Sequence, residues 1–178
     1  GAGYYARAAQ RSGRAGDFVT SVDAGAWFGR LLAVQFGTWL REMDANGGKA
    51  PRDLVEAGAG NGRLSRDVLD ALASSEPDLY ARLTVRLVER SEAARAEHGA
   101  VFSGHAARLG SSADTLPSGV SGIIFANELL DAFPVHVMVG TPDGLREVYV
   151  DARPDDRLIE RQGPPSTPAL AEYLDAVG

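Results

Sequence analysis

The segment Val55-Glu56-Ala57-Gly58-Ala59-Gly60-Asn61-Gly62-Arg63-Leu64 constrains this chain more than any other. A short apolar run, Leu54 and Val55, leads into it, and Leu64, Val68, Leu69 and Leu72 follow at helical spacing. That is the layout of a strand, a glycine turn and a helix N-terminus, where bare backbone can approach a nucleotide-like ligand. The spacing is Glu-x-Gly-x-Gly-x-Gly. A dinucleotide fingerprint counted from Gly58 needs a third small residue at position 63, and Arg63 stands there. The acid just ahead of the glycines points to S-adenosylmethionine rather than to NAD.

Composition narrows the class further. At 178 residues the chain fits one domain with room for a sizeable core. A net charge of −6 argues against a broad phosphate-binding surface, so nucleic acid is not an expected partner. There is no cysteine, which excludes disulfides, zinc–thiolate centres and a cysteine nucleophile. His98, His105 and His136 are scattered without metal-ligand spacing, so no metal is expected. No apolar run approaches the length of a membrane span, and residues 1–16 lack the pattern of a leader. These observations lead to the expectation of a soluble cytoplasmic protein with no membrane partner.

Along the chain, Ser21 reads as a helix N-cap, with Asp23 in the first turn. The helix that follows carries Trp27, Phe28, Leu31, Leu32, Phe36, Trp39 and Leu40. Aromatics at that spacing read as core. Asn46-Gly47-Gly48-Lys49-Ala50-Pro51 is a loop. Strands are expected over 53–56, 83–89 and 122–126, and helices over 62–74 and 91–98, with Ser91 as a cap. Residues 102–110 are poorly patterned and predict a short strand or loop. Strands alternating with helices imply a mostly parallel sheet. Residues 135–139 and 145–150 flank Thr141-Pro142-Asp143-Gly144 and predict a β-hairpin. The tail from Asp151 is polar and proline-rich, with a short helix over 168–177. The expected division is a helical segment over 1–50, a cofactor-binding core over 51–134, and a hairpin with its tail over 135–178.

Ligands of open α/β sheets bind beyond the carboxyl ends of the strands, and three groups fall there. The first is the glycine loop, with Glu56, Gly58, Ala59, Gly60 and Gly62 as cofactor-binding candidates. The second is Glu89, which can accept protons from both ribose hydroxyls. The alternative is a surface pairing with Arg90 or Arg86. The third is Asn127 and Glu128 with Asp131 one turn on, where oxygens can orient an attacking nitrogen and hold its charge. For Asp131 a turn-capping role stands equally beside the catalytic one. No Gly-x-Ser-x-Gly elbow and no P-loop lysine is present.

Taken together, several stretches resemble the MidA-like family of S-adenosylmethionine-dependent methyltransferases, relatives of the mitochondrial complex I assembly-factor arginine methyltransferase. The matching pieces are Gly3-Tyr4-Tyr5, Gly16-Asp17-Phe18-Val19-Thr20-Ser21, Phe28-Gly29 and the glycine segment. Leu87-Val88-Glu89 and Asn127-Glu128-Leu129-Leu130-Asp131-Ala132-Phe133-Pro134-Val135 complete the set. The glycine loop is generic to methyltransferases, whereas the Gly-Asp-Phe-x-Thr-Ser and Asn-Glu-Leu-Leu-Asp-Ala-x-Pro-Val pieces are far more specific. The resemblance implies an α/β class I methyltransferase (Rossmann-like) fold with an N-terminal helical segment. It implies methylation of a protein arginine, with a respiratory complex subunit as one candidate acceptor. S-adenosylhomocysteine would be the product. It adds Asp17, Phe18, Thr20 and Ser21 to the residues expected near the cofactor.

Two departures stand out. The family usually shows Pro-Glu after Thr-Ser, where Val22-Asp23 stands here. The family's later Asp-Tyr-Gly and His-Val-Asp-Phe motifs do not occur, so a sheet without its last strands is expected. An incomplete sheet edge tends to seek cover, which makes a homodimer one expectation. Two other functions fit less of the sequence: a non-catalytic assembly module that keeps the fold, and a nicotinamide-dependent oxidoreductase, against which Arg63 speaks.

Overall fold

The computed structural model describes residues 25–177, which divide into two compact units between Asp131 and Ala132. In the larger unit, helix α1 (Trp27–Gly47) leads into strand β1 (Arg52–Ala57) and helix α2 (Arg63–Ser75). A single turn, α3 (Pro77–Tyr80), connects to β2 (Leu83–Val88). Helix α4 (Glu92–Val101) and a 3-10 segment (Ser103–Arg108) then lead to β3 (Leu109–Ala113) and β4 (Gly122–Ala126). The four strands form one parallel sheet in the order β3-β2-β1-β4.

Each element follows from its residues. Strand β1 lies between β2 and β4, and its four central residues, Asp53 to Glu56, are all buried. Such a strand reads as a continuous apolar run rather than an alternating one. Asp53 and Glu56 are the polar exceptions, and the Asp53 carboxylate is satisfied within the sheet. It accepts from Arg86 Nε at 2.8 Å and from the Ser121 backbone N–H at 3.0 Å, tying β1 to β2 and to the approach of β4. Ser91 caps α4 by accepting from the Ala94 N–H at 3.3 Å, as its sequence position predicts.

The core lies between the sheet and α1 and α2. Leu54, Val68, Leu69, Leu72, Val85, Leu87 and Phe102 have no exposed surface. Phe102→Ala is expected to cost about 3 to 5 kcal/mol, the range for an aromatic removed from a closed core. Urea unfolding checks this, and a loss below about 1 kcal/mol would mean that the site collapses around the gap.

Helix α1 differs from its sequence reading. Its buried residues are Gly29, Ala33, Phe36, Gly37 and Leu40. Trp27 is 70% exposed and Trp39 43%, so neither is core. The cause is the close approach of α1 to α2. A Cβ on Gly29 would stand 2.6 Å from the Asp67 Cβ. Only a seam of small residues permits that distance, and it turns Trp27, Leu31 and Val34 outward. Arg30 lies over the Trp27 ring. Phe36 alone among the helix's aromatics is fully buried, with its ring centroid 5.0 Å from that of Phe125. The expected Ser21 cap and Asp23 lie outside the described residues.

The smaller unit is a three-stranded antiparallel sheet followed by helix α5 (Ala169–Val177). The hairpin is present, with β5 (Val137–Thr141) paired to β6 (Gly144–Ala152). Strand β7 (Leu158–Gly163) pairs with β6 in a stretch read from sequence as polar tail. Glu147 of β6 is 4% exposed and is satisfied by His136 Nδ1 at 2.6 Å, Tyr149 Oη at 3.1 Å and the Ser166 N–H at 2.5 Å. The hydrogen bond from His136 leads in holding its carboxyl down at about 2.

Candidate cofactor site

Three strands of the larger unit end side by side. Ala57 pairs with Val88 of β2 and with Ala126 of β4, so the glycine loop, Glu89 and Asn127 all emerge at one edge of the sheet. Parallel pairing in register achieves this, and it is the edge where open α/β sheets take ligands. The cleft lined by Trp39, Glu42, Met43 and Arg52 lies by the other end of β1.

The loop turns on three glycines at positive φ: Gly58 at 71°, Gly60 at 53° and Gly62 at 83°. Gly58 and Ala59 N–H both donate to the Val88 carbonyl, at 2.9 and 3.0 Å, and Gly62 N–H donates to the Ala59 carbonyl at 2.8 Å. Two of the three positions are filled from inside. A Cβ on Gly62 would meet Leu87 at 2.9 Å, Phe102 at 3.2 Å and His98 at 3.4 Å. A Cβ on Gly58 would meet Leu129 at 2.7 Å. At Gly60 none of the described residues stands within 4 Å, so among them the loop is open there. The result is a backbone cradle, closed behind and open in front, at the N-terminus of α2.

Glu89 is built into this cradle. Its Oε2 accepts from Gly60 N–H at 2.9 Å and its Oε1 from Ser91 N–H at 2.8 Å. Arg95 donates to the Glu89 and Arg90 carbonyls at 2.6 and 2.9 Å and fixes the turn behind it. Each carboxylate oxygen has two lone pairs, so acceptor capacity remains for a ligand hydroxyl.

Glu56 is 3% exposed and accepts from the Ser65 hydroxyl at 2.6 Å. Burial pushes its carboxyl up to about 7, against the pull of the Ser65 hydrogen bonds and with a smaller push from Glu89. Asn127 is half-buried, while Glu128 and Asp131 are exposed. Glu128 adopts a φ of 50°, a left-handed conformation that only it and Asp156 share among the described non-glycine residues. Asp131 sits in a short 3-10 turn, Leu130–Ala132. Leu129, packed on Gly58, joins this segment to the glycine loop. Glu56, Gly58, Ala59, Gly60, Gly62, Glu89, Asn127, Glu128 and Asp131 thus share one edge, whereas Asp17, Phe18, Thr20 and Ser21 lie outside the described residues.

Sequence reasoning missed three contributors: His98, Ser65 and Leu129. His98 is 1% exposed and reaches the Gly60 carbonyl through Nε2 at 2.8 Å. No pattern singles it out, because its partners lie far away in sequence. Among the described residues no cluster of metal-ligating side chains occurs, and no helix is long and apolar enough to cross a membrane.

Comparison with known proteins adds to this geometry. Residues 31–178 match the model of a family described as S-adenosyl-L-methionine-dependent methyltransferases. Among curated proteins, the mouse protein arginine methyltransferase NDUFAF7, mitochondrial, is 31% identical, covering 95% of this chain and 43% of its own length. The Drosophila melanogaster homologue is 32% identical, covering 89% of this chain and 40% of its own. The chain therefore spans less than half the length of these relatives. A crystal structure of a Burkholderia thailandensis protein bound to S-adenosyl-homocysteine superposes with a TM-score of 0.70 at 30% identity. It covers 95% of this chain and 43% of that one. The expectation of a cytoplasmic protein is corrected here, since these curated relatives are named as mitochondrial.

Proposed function

This chain belongs to the family of S-adenosyl-L-methionine-dependent methyltransferases, and we propose that its larger unit binds S-adenosylmethionine for methyl transfer to a protein arginine nitrogen. The observation that carries the cofactor reading is the cradle formed by Gly58, Gly60, Gly62 and Glu89. Its glycine backbone is closed behind and open at Gly60, and a carboxylate is already hydrogen-bonded to it. The structural relative bound to S-adenosyl-homocysteine supports the same reading. The acceptor reading is supported by relatives named as protein arginine methyltransferases.

When bound, S-adenosylmethionine supplies an electrophilic methyl group on a positively charged sulfur. The chain's own residues supply position. The turn amides at the start of α2 suit a carboxylate, and Glu89 suits the ribose hydroxyls. Glu56 sits beneath the loop as a buried acid poised between its two protonation states. Asn127 and Glu128 would orient the acceptor nitrogen and offset its charge, with Asp131 as a third candidate. Catalysis of this kind rests mainly on holding two reactants in line.

The left-handed Glu128 fits such a role, since strained backbone concentrates at functional sites. Glu128→Gly removes a backbone cost of about 1 kcal/mol and the carboxylate together. It is expected to leave stability unchanged within about 1 kcal/mol while lowering methyl transfer at least tenfold. Incubation with methyl-labelled S-adenosylmethionine and arginine-containing peptides, read by mass spectrometry, tests the whole reading. Label on arginine that Glu128→Gly reduces supports it. Cofactor binding with label on other residues alone, or on none, would overturn the arginine assignment.

A further inference from the structure

We infer that His98 is a positioning residue for the cofactor cradle, setting the orientation of the Gly60–Asn61 peptide so that the Asn61 N–H faces a ligand carboxylate. The inference rests on the cofactor reading and extends it to a residue that reaches the loop from beneath. His98 is the only buried residue of α4 and is 1% exposed. Its Nε2 lies 2.8 Å from the Gly60 carbonyl oxygen and its Nδ1 lies 2.8 Å from the Ser112 Oγ of β3.

These partners decide where the proton sits. A carbonyl oxygen can only accept, so Nε2 carries the hydrogen and donates it. In the neutral ring Nδ1 is then an acceptor, and the Ser112 hydroxyl donates to it. Both nitrogens are satisfied, which removes the penalty for burying a polar ring. Space-filling alone would not call for imidazole here. Leucine or methionine fills such a position without needing two partners.

The consequence for the loop follows from the planarity of the peptide bond. In a trans peptide the carbonyl of one residue and the N–H of the next point in opposite directions. Drawing the Gly60 carbonyl toward His98 therefore turns the Asn61 N–H away from the interior. Glycine at a φ of 53° tolerates several orientations of the peptide that follows it, so this orientation has to be held. Gly60 is held from both sides: its N–H by Glu89 Oε2 and its carbonyl by His98 Nε2. Glu89 and His98 thus act on one residue, from the end of β2 and from α4. On the loop's open side an amide so directed suits a carboxylate, such as that of an amino-acid moiety.

The test compares the wild-type protein with His98→Leu, His98→Gln and Ser112→Ala. Titration calorimetry with S-adenosylhomocysteine, thermal unfolding and nitrogen-15 NMR of the imidazole are read for each. Wild type is expected to show the Nε2–H tautomer, with a resonance that shifts on titration. His98→Leu is expected to bind at least about tenfold more weakly while still unfolding cooperatively. His98→Gln, whose Nε2 amide can donate to the same carbonyl, is expected to recover most of the affinity at the same thermal stability. Ser112→Ala removes the hydroxyl that satisfies Nδ1 and steadies the ring, and is expected to give an intermediate loss. Should His98→Leu fail to fold, the glutamine and alanine variants and the NMR signature decide. If wild type binds and both the leucine and glutamine variants bind equally well, the inference is wrong. An Nδ1–H tautomer, or a resonance untouched by ligand, would overturn it as well. A wild-type protein that does not bind S-adenosylhomocysteine would instead overturn the cofactor reading itself.

Discussion

Replacing Gly62 with valine is expected to destabilise the larger unit by about 2 to 5 kcal/mol and to abolish cofactor binding. Two costs add. A φ of 83° is strained for any residue with a Cβ, by about 1 to 2 kcal/mol. The new side chain would also enter a filled space, 2.9 Å from Leu87 and 3.2 Å from Phe102, and overpacking of that kind costs about 1 to 3 kcal/mol. Gly60→Ala is the matched control. It has the same sign of φ, but none of the described residues stands within 4 Å of the added carbon, so only the backbone cost of about 1 kcal/mol applies. Urea unfolding of the two variants separates the terms. Equal losses would mean that the wall of Leu87, Phe102 and His98 gives way.

Glu56 carries the second large effect, and its sign is opposite to that of most carboxylates. Burial raises its folded-state carboxyl from 4.5 to about 7, with Ser65 as hydrogen-bond donor and Glu89 as charged neighbour. The folded protein therefore holds a proton that the unfolded chain has released across that window. This contribution is fully present below pH 4.5 and is lost as pH rises through about 7. The full swing is roughly 3 kcal/mol, since each tenfold change in proton affinity is worth about 1.4 kcal/mol. Glu56→Gln keeps an acceptor for Ser65 and removes the titration. It is expected to match wild type near pH 4.5 and to exceed it by up to about 3 kcal/mol at pH 8. Urea midpoints across pH check this, and parallel curves for the two proteins would refute it. A cation held in the cradle favours the ionised form. On the proposed reading, the exchange that stabilises the free protein therefore weakens S-adenosylmethionine binding, a trade expected where activity uses a strained group.

Three of the four strands of the parallel sheet were legible because each announces itself, whereas the edge strand β3, Leu-Gly-Ser-Ser-Ala, carries no apolar run. Leu54, Val55, Val85, Leu87 and Ile123 lie in short runs between turn residues, and their burial follows. The glycine loop was legible for a related reason, since its left-handed turns demand a residue type that stands out in sequence. What stayed hidden lacks such a signal. Strand β7 reads Leu-Ile-Glu-Arg-Gln-Gly and is exposed along most of its length, so its pairing with β6 left no apolar alternation to detect. Trp27 and Trp39 misled because hydrophobic spacing marks a helical face without saying which face is buried. The small residues Gly29, Ala33 and Gly37 decided that question. His98 joins Gly60 and Ser112 across intervals of 38 and 14 residues, a relation that exists only once α4 lies beside the loop and β3.

The central claim is that the edge formed by Glu56, the glycine loop and Glu89 is a site for S-adenosylmethionine. Titration calorimetry with S-adenosylhomocysteine, on wild type and on Gly60→Arg, tests it most directly. One site of sub-millimolar affinity is expected in wild type. It should be lost in Gly60→Arg, where the bulky side chain fills the open side of the cradle while circular dichroism remains unchanged. A folded wild-type protein that takes up no S-adenosylhomocysteine at millimolar concentration, or an arginine variant that binds as wild type does, would contradict it.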